Sequence, residues 1–172
     1  PRLAQACQPL APLQPGQAVL TPAFDLPNSA VIHCLGPVYG IDAPAEALLS
    51  ACYRNASHLA EKEGLTSIAF PAISTGIFGY PFSEAARIAI HTVLDEADRL
   101  STLQRIRFVL YSQGDYKLYA QLLPEIINLR EEYTRQALFT DLYELTMMQA
   151  YQAEGMLDQA VFTLSVGKLP EA

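Results

Sequence analysis

The stretch Ser67 to Pro81, SIAFPAISTGIFGYP, constrains this chain more than any other. Ser67 to Ile73 is a short apolar run, long enough for a strand buried on both faces and too short for a helix. It ends in a loop where Gly76 and Gly79 bracket Ile77 and Phe78, so that the backbone is free to take positive φ and to present bare amide groups. Pro81 and Ser83 then open a helical pattern, with Ser83 in a position to cap it. Strand, glycine loop and helix start, in that order, bring unpaired N–H groups and the positive end of a helix dipole to one place, which suits a phosphate or diphosphate. The competing structural explanation is a glycine turn that merely reverses the chain. No Lys follows the glycines and no G-x-G-x-x-G occurs, so neither a P-loop nor a dinucleotide fingerprint is present.

The elements around this loop alternate. Ala18 to Thr21 sits among prolines and suits a short edge strand, whereas Ala30 to Leu35 suits a buried one ended by Gly36-Pro37. Between Ala45 and Glu63, Ala45, Leu48, Leu49, Cys52, Ala56, Leu59 and Ala60 recur at helical spacing, and Gly64 closes the helix. Ala86, Ala89, Ile90, Val93, Leu94 and Ala97 form a second apolar stripe, with Asp95, Glu96, Asp98 and Arg99 on its wet side. RIRFVLY, Arg105 to Tyr111, is a third strand, and a helix from Asp115 is expected to kink or end at Pro124. This alternation predicts an α/β fold with a mainly parallel sheet covered by helices, in which ligands bind beyond the carboxyl ends of the strands. Tyr111 falls at such an end. His33, within a strand, is expected to be hydrogen-bonded and structural, and His58 to be solvated. Asp42 and Glu84 have no evident partner in the sequence.

PAISTGIFGYP, together with VIHCLGP at Val31 to Pro37, resembles the macrodomain family, whose members bind ADP-ribose and in several branches hydrolyse ADP-ribosyl esters. The resemblance runs from residue 1 to about Ile127. It implies a three-layer α/β/α fold with a mixed, mainly parallel sheet. It also implies that Ser74, Thr75, Gly76, Ile77, Phe78 and Gly79 wrap the diphosphate and distal ribose through backbone N–H groups, and that Tyr111 packs on the adenosine side. In that family the first strands, an Asp for the adenine, an Asn linked to catalysis and a first glycine-rich loop precede the point that corresponds to Pro1. This leads to the expectation of an N-terminally incomplete macrodomain whose catalytic residues are unknown.

Composition bounds the alternatives. Among 172 residues, 51% are hydrophobic, which supplies a sizeable core, yet no apolar run approaches the ~20 residues of a membrane helix. A net charge of −7 and a pI near 4.8 argue against broad phosphate-backbone binding, so no sequence-specific nucleic-acid partner is expected and a bound anion must be held locally. Cys7, Cys34 and Cys52 are odd in number and widely spaced, and the histidines show no metal-ligand spacing. The expectations are a soluble, cytoplasmic protein with no metal and no cofactor.

Beyond Asn128 the character changes. Residues 129–137 are charged and suit a linker. Asp141 and Glu144 are spaced to cap a helix that Gly155 could end, with Met147 and Met148 as core residues, and Gln159 to Val166 alternates as a strand. LFTDLYELTMMQAYQAEGMLDQAVFTLSVGKLP, Leu138 to Pro170, is similar to the amino-terminal signature of nicotinate phosphoribosyltransferase. That resemblance implies the start of a second α/β domain over 138–172, with Tyr143 near a nicotinate pocket. Residues 1–128 are then the macrodomain-like part. Three functions compete: an ADP-ribose-binding or ADP-ribosyl-hydrolysing macrodomain joined to this segment, a nicotinate phosphoribosyltransferase of NAD salvage with an appended macrodomain, and a non-catalytic binding module or truncated fragment, with this chain alone expected to be inactive. The partner common to these readings is ADP-ribose or an ADP-ribosylated substrate, with self-association through an exposed sheet edge.

Overall fold

In the computed structural model the described residues are 2–133, 143–147 and 160–166. The order is α1 (Arg2–Cys7), a 3-10 turn (Gln8–Leu10), β1 (Ala18–Pro22), β2 (Ala30–Cys34), α2 (Ala45–Lys62), β3 (Ser67–Phe70), α3 (Phe82–Ala97), β4 (Arg105–Leu110), α4 (Gln113–Tyr133), β5 (Tyr143–Met147) and β6 (Ala160–Val166). Alternating strands and helices give the expected mixed α/β architecture, although among the described residues only the β3–β4 pairing is parallel, where the sequence predicts a mainly parallel sheet. β3 and β4 pair in parallel, with Phe70 opposite Phe108, and β6 and β5 continue that sheet antiparallel in the order β3-β4-β6-β5. β1 and β2 form a separate antiparallel pair, joined by a loop short enough for a hairpin connection.

The core lies where alternate β3 and β4 residues meet the helices. Phe70, Ile106, Phe108 and Leu110 are buried, and the two phenylalanine rings form a contact series with Tyr53 of α2 and Tyr119 of α4. The centroids are 5.1 Å apart for Tyr53 and Phe70, 6.2 Å for Phe70 and Phe108, and 5.1 Å for Phe108 and Tyr119. Ala86, Ala89, Ile90, Val93, Leu94 and Ala97 of α3 are all buried, as their spacing predicts.

Several expectations are corrected. β3 ends at Phe70 rather than Ile73, and it is buried on one face only, because Ser67 and Ala69 are exposed. β2 is half-buried throughout, since β1 covers one of its edges and nothing covers the other among the described residues. Ser83 does not cap α3. Pro81 holds the N-cap position, and its carbonyl accepts from Ala85 N at 2.9 Å. α4 passes through Pro124 to Tyr133, and so enters the segment expected to be a linker. It starts under a reciprocal cap in which Ser112 N donates to Asp115 Oδ2 and Asp115 N to Ser112 Oγ, each at 3.1 Å. Residues 143–147 form a strand instead of the expected helix, because Leu145 and Thr146 pair with Leu164 and Thr163 of β6 and this ladder overrides a local cap pattern. Asp141, Met148 and Gly155 lie outside the described residues, and β6 falls where the alternation placed it.

Two charged positions also differ. Glu96, expected on the wet side of α3, is buried, and its carboxylate meets Arg54 Nε at 2.9 Å, His58 Nε2 at 2.7 Å and Arg99 at 3.3 Å. Burial pushes its carboxyl up, but the hydrogen bonds from His58 and Arg54 and the nearby positive charge pull it further down, below the ordinary range. His58 is therefore paired across the α2–α3 seam rather than simply solvated.

Candidate functional site

The chain leaves β3 at Pro71 and reaches α3 at Phe82, and the segment between them forms one wall of a cleft at the carboxyl ends of β3 and β4. Thr75, Gly76, Phe82, Tyr111 and Asp115 line this cleft of about 710 Å³, together with residues of both strand ends.

Tyr53 fixes where the loop begins. Its fully buried hydroxyl accepts from Ile73 N at 3.1 Å and donates to Pro71 O at 3.4 Å. Burial, foremost, pushes its phenol well above the ordinary value, so it stays protonated and able to do both. The loop then folds on itself. Thr75 Oγ1 donates to Ala72 O at 2.8 Å, Gly79 N to Gly76 O at 2.9 Å, and Tyr80 N to Ser74 O at 3.0 Å. A second loop braces it: Tyr39 N donates to Phe78 O at 2.9 Å and the Tyr39 ring lies 4.8 Å from that of Tyr80. Asp42 holds this second loop in shape by accepting Val38 N at 2.7 Å, which supplies the partner the sequence did not show.

The positive backbone angles fall at Gly79 (φ 67°) and at Ser74 (φ 65°), not at Gly76. A residue with a side chain at Ser74's angle is uncommon and is held there by its surroundings. Its Oγ is buried with no hydrogen-bond partner among the described residues, and it lies 2.2 Å from where a Cβ on Gly36 would stand. Gly36, which the sequence suggested only as the end of a strand, is thus the gap that admits the loop. By contrast, a Cβ on Gly76 or Gly79 would meet nothing within 4 Å. Thr75 N and Gly79 N bond within the loop, whereas the N–H groups of Gly76, Ile77 and Phe78 have no backbone acceptor among the described residues. Ile77 is 98% exposed and Tyr111 69% exposed.

Thus, of the residues expected to form the site, Ser74, Thr75, Gly76, Ile77, Phe78 and Gly79 make one continuous loop, and Thr75, Gly76 and Tyr111 line the same cleft. Tyr143 is the first residue of β5, opposite Val166. Tyr53 escaped the sequence reading, and Gly36 entered it only as the end of a strand. Tyr53 lies four residues after Leu49 and three before Ala56, a helical spacing that could have revealed it. Burial pushes the Cys34 thiol up to about 12 and the Cys52 thiol up to about 11, so neither is a nucleophile near neutral pH. No cluster able to hold a metal ion occurs among the described residues, and no helix among them is long and apolar enough to cross a membrane.

Residues 1–89 match the Macro domain family. The chain is 45% identical over 130 residues to the O-acetyl-ADP-ribose deacetylase of Salmonella newport, a match covering 73% of either protein. It is 44% identical over 128 residues to the protein of that name from Klebsiella pneumoniae, covering 72% of this chain and 73% of the relative. The Oceanobacillus iheyensis macrodomain solved with ADP superposes with a TM-score of 0.70 at 37% identity, over 75% of this chain and 72% of that one. A mutant of the same protein solved with ADPR gives 0.70 at 37%, over 74% and 73%.

Proposed function

Since the chain belongs to the Macro domain family, we propose that it binds ADP-ribose in the cleft between the Ser74 to Gly79 loop and Tyr111, and that it hydrolyses an O-acyl ester of that ligand. The observation that carries this reading is the set of N–H groups at Gly76, Ile77 and Phe78, which lack backbone acceptors among the described residues and of which Gly76 lines the cleft. A diphosphate offers oxygens to such a set, and each charge-assisted bond is worth roughly 1.5–3 kcal/mol. Ser74 and Thr75 shape the turn and Gly79 closes it. Tyr111, at the end of β4, offers an exposed ring for the adenosine half. In the hydrolysis, water adds to the ester carbonyl, the ribose oxygen leaves and takes a proton, and a carboxylic acid is released.

Calorimetric titration with ADP-ribose tests binding, and acetate release from O-acetyl-ADP-ribose tests hydrolysis. One-to-one binding that weakens about tenfold in Tyr111→Ala, the value of one stacked base, supports the site. Absence of binding by the folded protein overturns it. Binding without acetate release leaves a recognition module and overturns the hydrolytic half.

The same reading extends to residues 138–172 as a nicotinate phosphoribosyltransferase-like segment after a macrodomain over 1–128 and a connection over 129–137 whose first residues belong to α4. Its support is the Leu138 to Pro170 motif, with Tyr143 as the nicotinate contact. Saturation-transfer resonance with nicotinate, lost in Tyr143→Ala, is the expected result. No transfer in the unaltered protein would remove this part.

A further inference from the structure

Three apolar side chains stand in water beyond one end of the cleft. Ile77 is 98% exposed, Ile41 76% and Tyr39 43%. Single exposed apolar residues are ordinary, but these belong to two loops that are fastened together. Phe78 O accepts from Tyr39 N at 2.9 Å, and the Tyr39 ring lies 4.8 Å from that of Tyr80. Ile41 is held in the same turn as Tyr39, since Ile41 N and Asp42 N both donate to Val38 O, at 3.1 and 3.0 Å, while Asp42 Oδ2 accepts from Val38 N at 2.7 Å. Hydrogen bonds thus pin the backbone of this turn to the glycine loop, and the apolar surface is held open beside the amides of Gly76 to Phe78.

With ADP-ribose in the cleft and its adenosine on Tyr111, the reading on which this inference rests, the remainder of the ligand has one direction. Thr75, Gly76 and Tyr111 share the cleft lining, and the loop runs on from Gly76 through Ile77 to Phe78, where it meets Tyr39. A ligand with its diphosphate on these amides carries its distal ribose, and any acyl group esterified there, toward Ile77, Tyr39 and Ile41. The diphosphate and ribose are polar, so the acyl group is the part of the ligand that can cover apolar side chains at this end. Three side chains are too few for a stable protein interface, which buries about 800 Å² on each partner, but they suit a chain of a few carbons. Charge narrows the class further. Neither residues 36–53 nor residues 63–86 contain a Lys or Arg. Glu46 and Glu84 lie close enough to Tyr80 to help burial, the main cause, push its phenol up. An acyl group ending in a carboxylate would meet these charges with no cation in either segment to answer it.

We propose that Ile77, Tyr39 and Ile41 form an acyl shelf, which makes this chain selective for ADP-ribosyl esters of neutral aliphatic acids longer than acetate. Each methylene laid on the shelf leaves water, whereas the polar part of the ligand is held the same way whatever acid it carries.

The test is calorimetric titration of this protein with ADP-ribose and with analogues in which an amide N–H replaces the ester oxygen on the distal ribose, so that hydrolysis does not intervene. The acyl groups are acetyl, propionyl, butyryl and succinyl. Affinity should rise about threefold for each methylene from acetyl to butyryl, and succinyl should bind more weakly than butyryl. Ile77→Ala and Ile41→Ser should each flatten that rise. The readout is the slope against chain length, which a uniform loss of affinity or of folded protein does not change. ADP-ribose binding with an affinity that ignores chain length overturns the shelf alone and leaves the cleft assignment standing. No binding of ADP-ribose overturns both. A rise that persists undiminished in the two variants, or a preference for succinyl, overturns the proposal as well. So do dimers in sedimentation that Ile77→Ala abolishes, because a second copy would then cover the same side chains.

Discussion

The Pro71 to Tyr80 loop and the α2–α3 seam around Glu96 are both polar constructions set against the same core, yet they treat their polar groups in opposite ways. At the seam, one buried carboxylate collects Arg54, His58 and Arg99. At the loop, Tyr53 and Gly36 hold the backbone in place while three consecutive N–H groups, from Gly76 to Phe78, find no backbone acceptor among the described residues. A saturated cluster stabilises a fold, whereas a rigidly held unsaturated one stands ready for a ligand. The comparison separates residues that look alike in sequence. Glu96 resembles a surface charge and is structural, and Gly76 resembles a turn glycine and borders the cleft.

Variants that break the scaffold should have the largest effects. Tyr53→Ala removes a fully buried ring and should cost about 3–5 kcal/mol in chemical denaturation. Tyr53→Phe keeps the ring, leaves Ile73 N unpaired and should cost only about 1 kcal/mol. If the two variants were equally destabilised, the hydroxyl rather than the ring would be the dominant part. Next comes Gly36→Ala. Its Cβ would meet Ser74 Oγ at 2.2 Å and Ile73 Cγ2 at 2.7 Å, so the loop must shift, at about 1–3 kcal/mol. ADP-ribose affinity should fall along with stability. Unchanged affinity would detach Gly36 from the site.

The fold was legible wherever one residue type repeats with a period. The α3 stripe from Ala86 to Ala97 and the strand Arg105 to Leu110 follow directly from spacing, because burial of one face is a property of the element alone. The loop was legible as a string, since glycines mark bare backbone. What it rests on was not, because Tyr53 and Gly36 act across 18 or more residues of chain, from Gly36–Ser74 to Tyr53–Pro71. Glu96 was misplaced for the same reason: a carboxylate is buried only when cations from another helix meet it, and Arg54 and His58 lie 42 and 38 residues away. The strand at Tyr143 to Met147 repeats the lesson, as its pairing with β6 is invisible to a local cap pattern.

Acid should distinguish saturated sites from unsaturated ones with a smaller effect. Glu61 accepts from Ser101 Oγ and from the N–H groups of Ser101, Thr102 and Leu103, and these bonds, the Ser101 hydroxyl foremost, hold its carboxyl down at about 2. A carboxyl depressed in the folded state stabilises fully above its ordinary value of 4.5, and that contribution is lost as pH falls toward about 2. The denaturation midpoint should therefore decline across this window, and Glu61→Gln should lower the neutral midpoint while flattening part of the decline. Glu96→Gln should act in the same direction, since its carboxyl is also depressed. An unaltered slope in both variants would mean that other groups carry the acid response.

The smallest effect on stability, and the sharpest on the comparison, belongs to Gly76→Val. Gly76 does not adopt a positive φ, and a Cβ there would meet nothing within 4 Å, so the protein alone gives no reason for a glycine. The midpoint should move by less than about 0.5 kcal/mol. A ligand held by the N–H groups of Gly76, Ile77 and Phe78 would approach this same backbone, and a branched side chain would stand in its path. The loss of one charge-assisted bond, roughly 1.5–3 kcal/mol, corresponds to a tenfold or greater fall in affinity. Gly79→Val serves as the control. Its φ of 67° strains any branched residue, so stability and ADP-ribose affinity should fall together there, whereas at Gly76 affinity should fall alone. Calorimetry and denaturation on both variants resolve the point. If Gly76→Val left ADP-ribose affinity intact, the open amides of the loop would not be the diphosphate site, and the contrast with the Glu96 seam would lose its functional meaning.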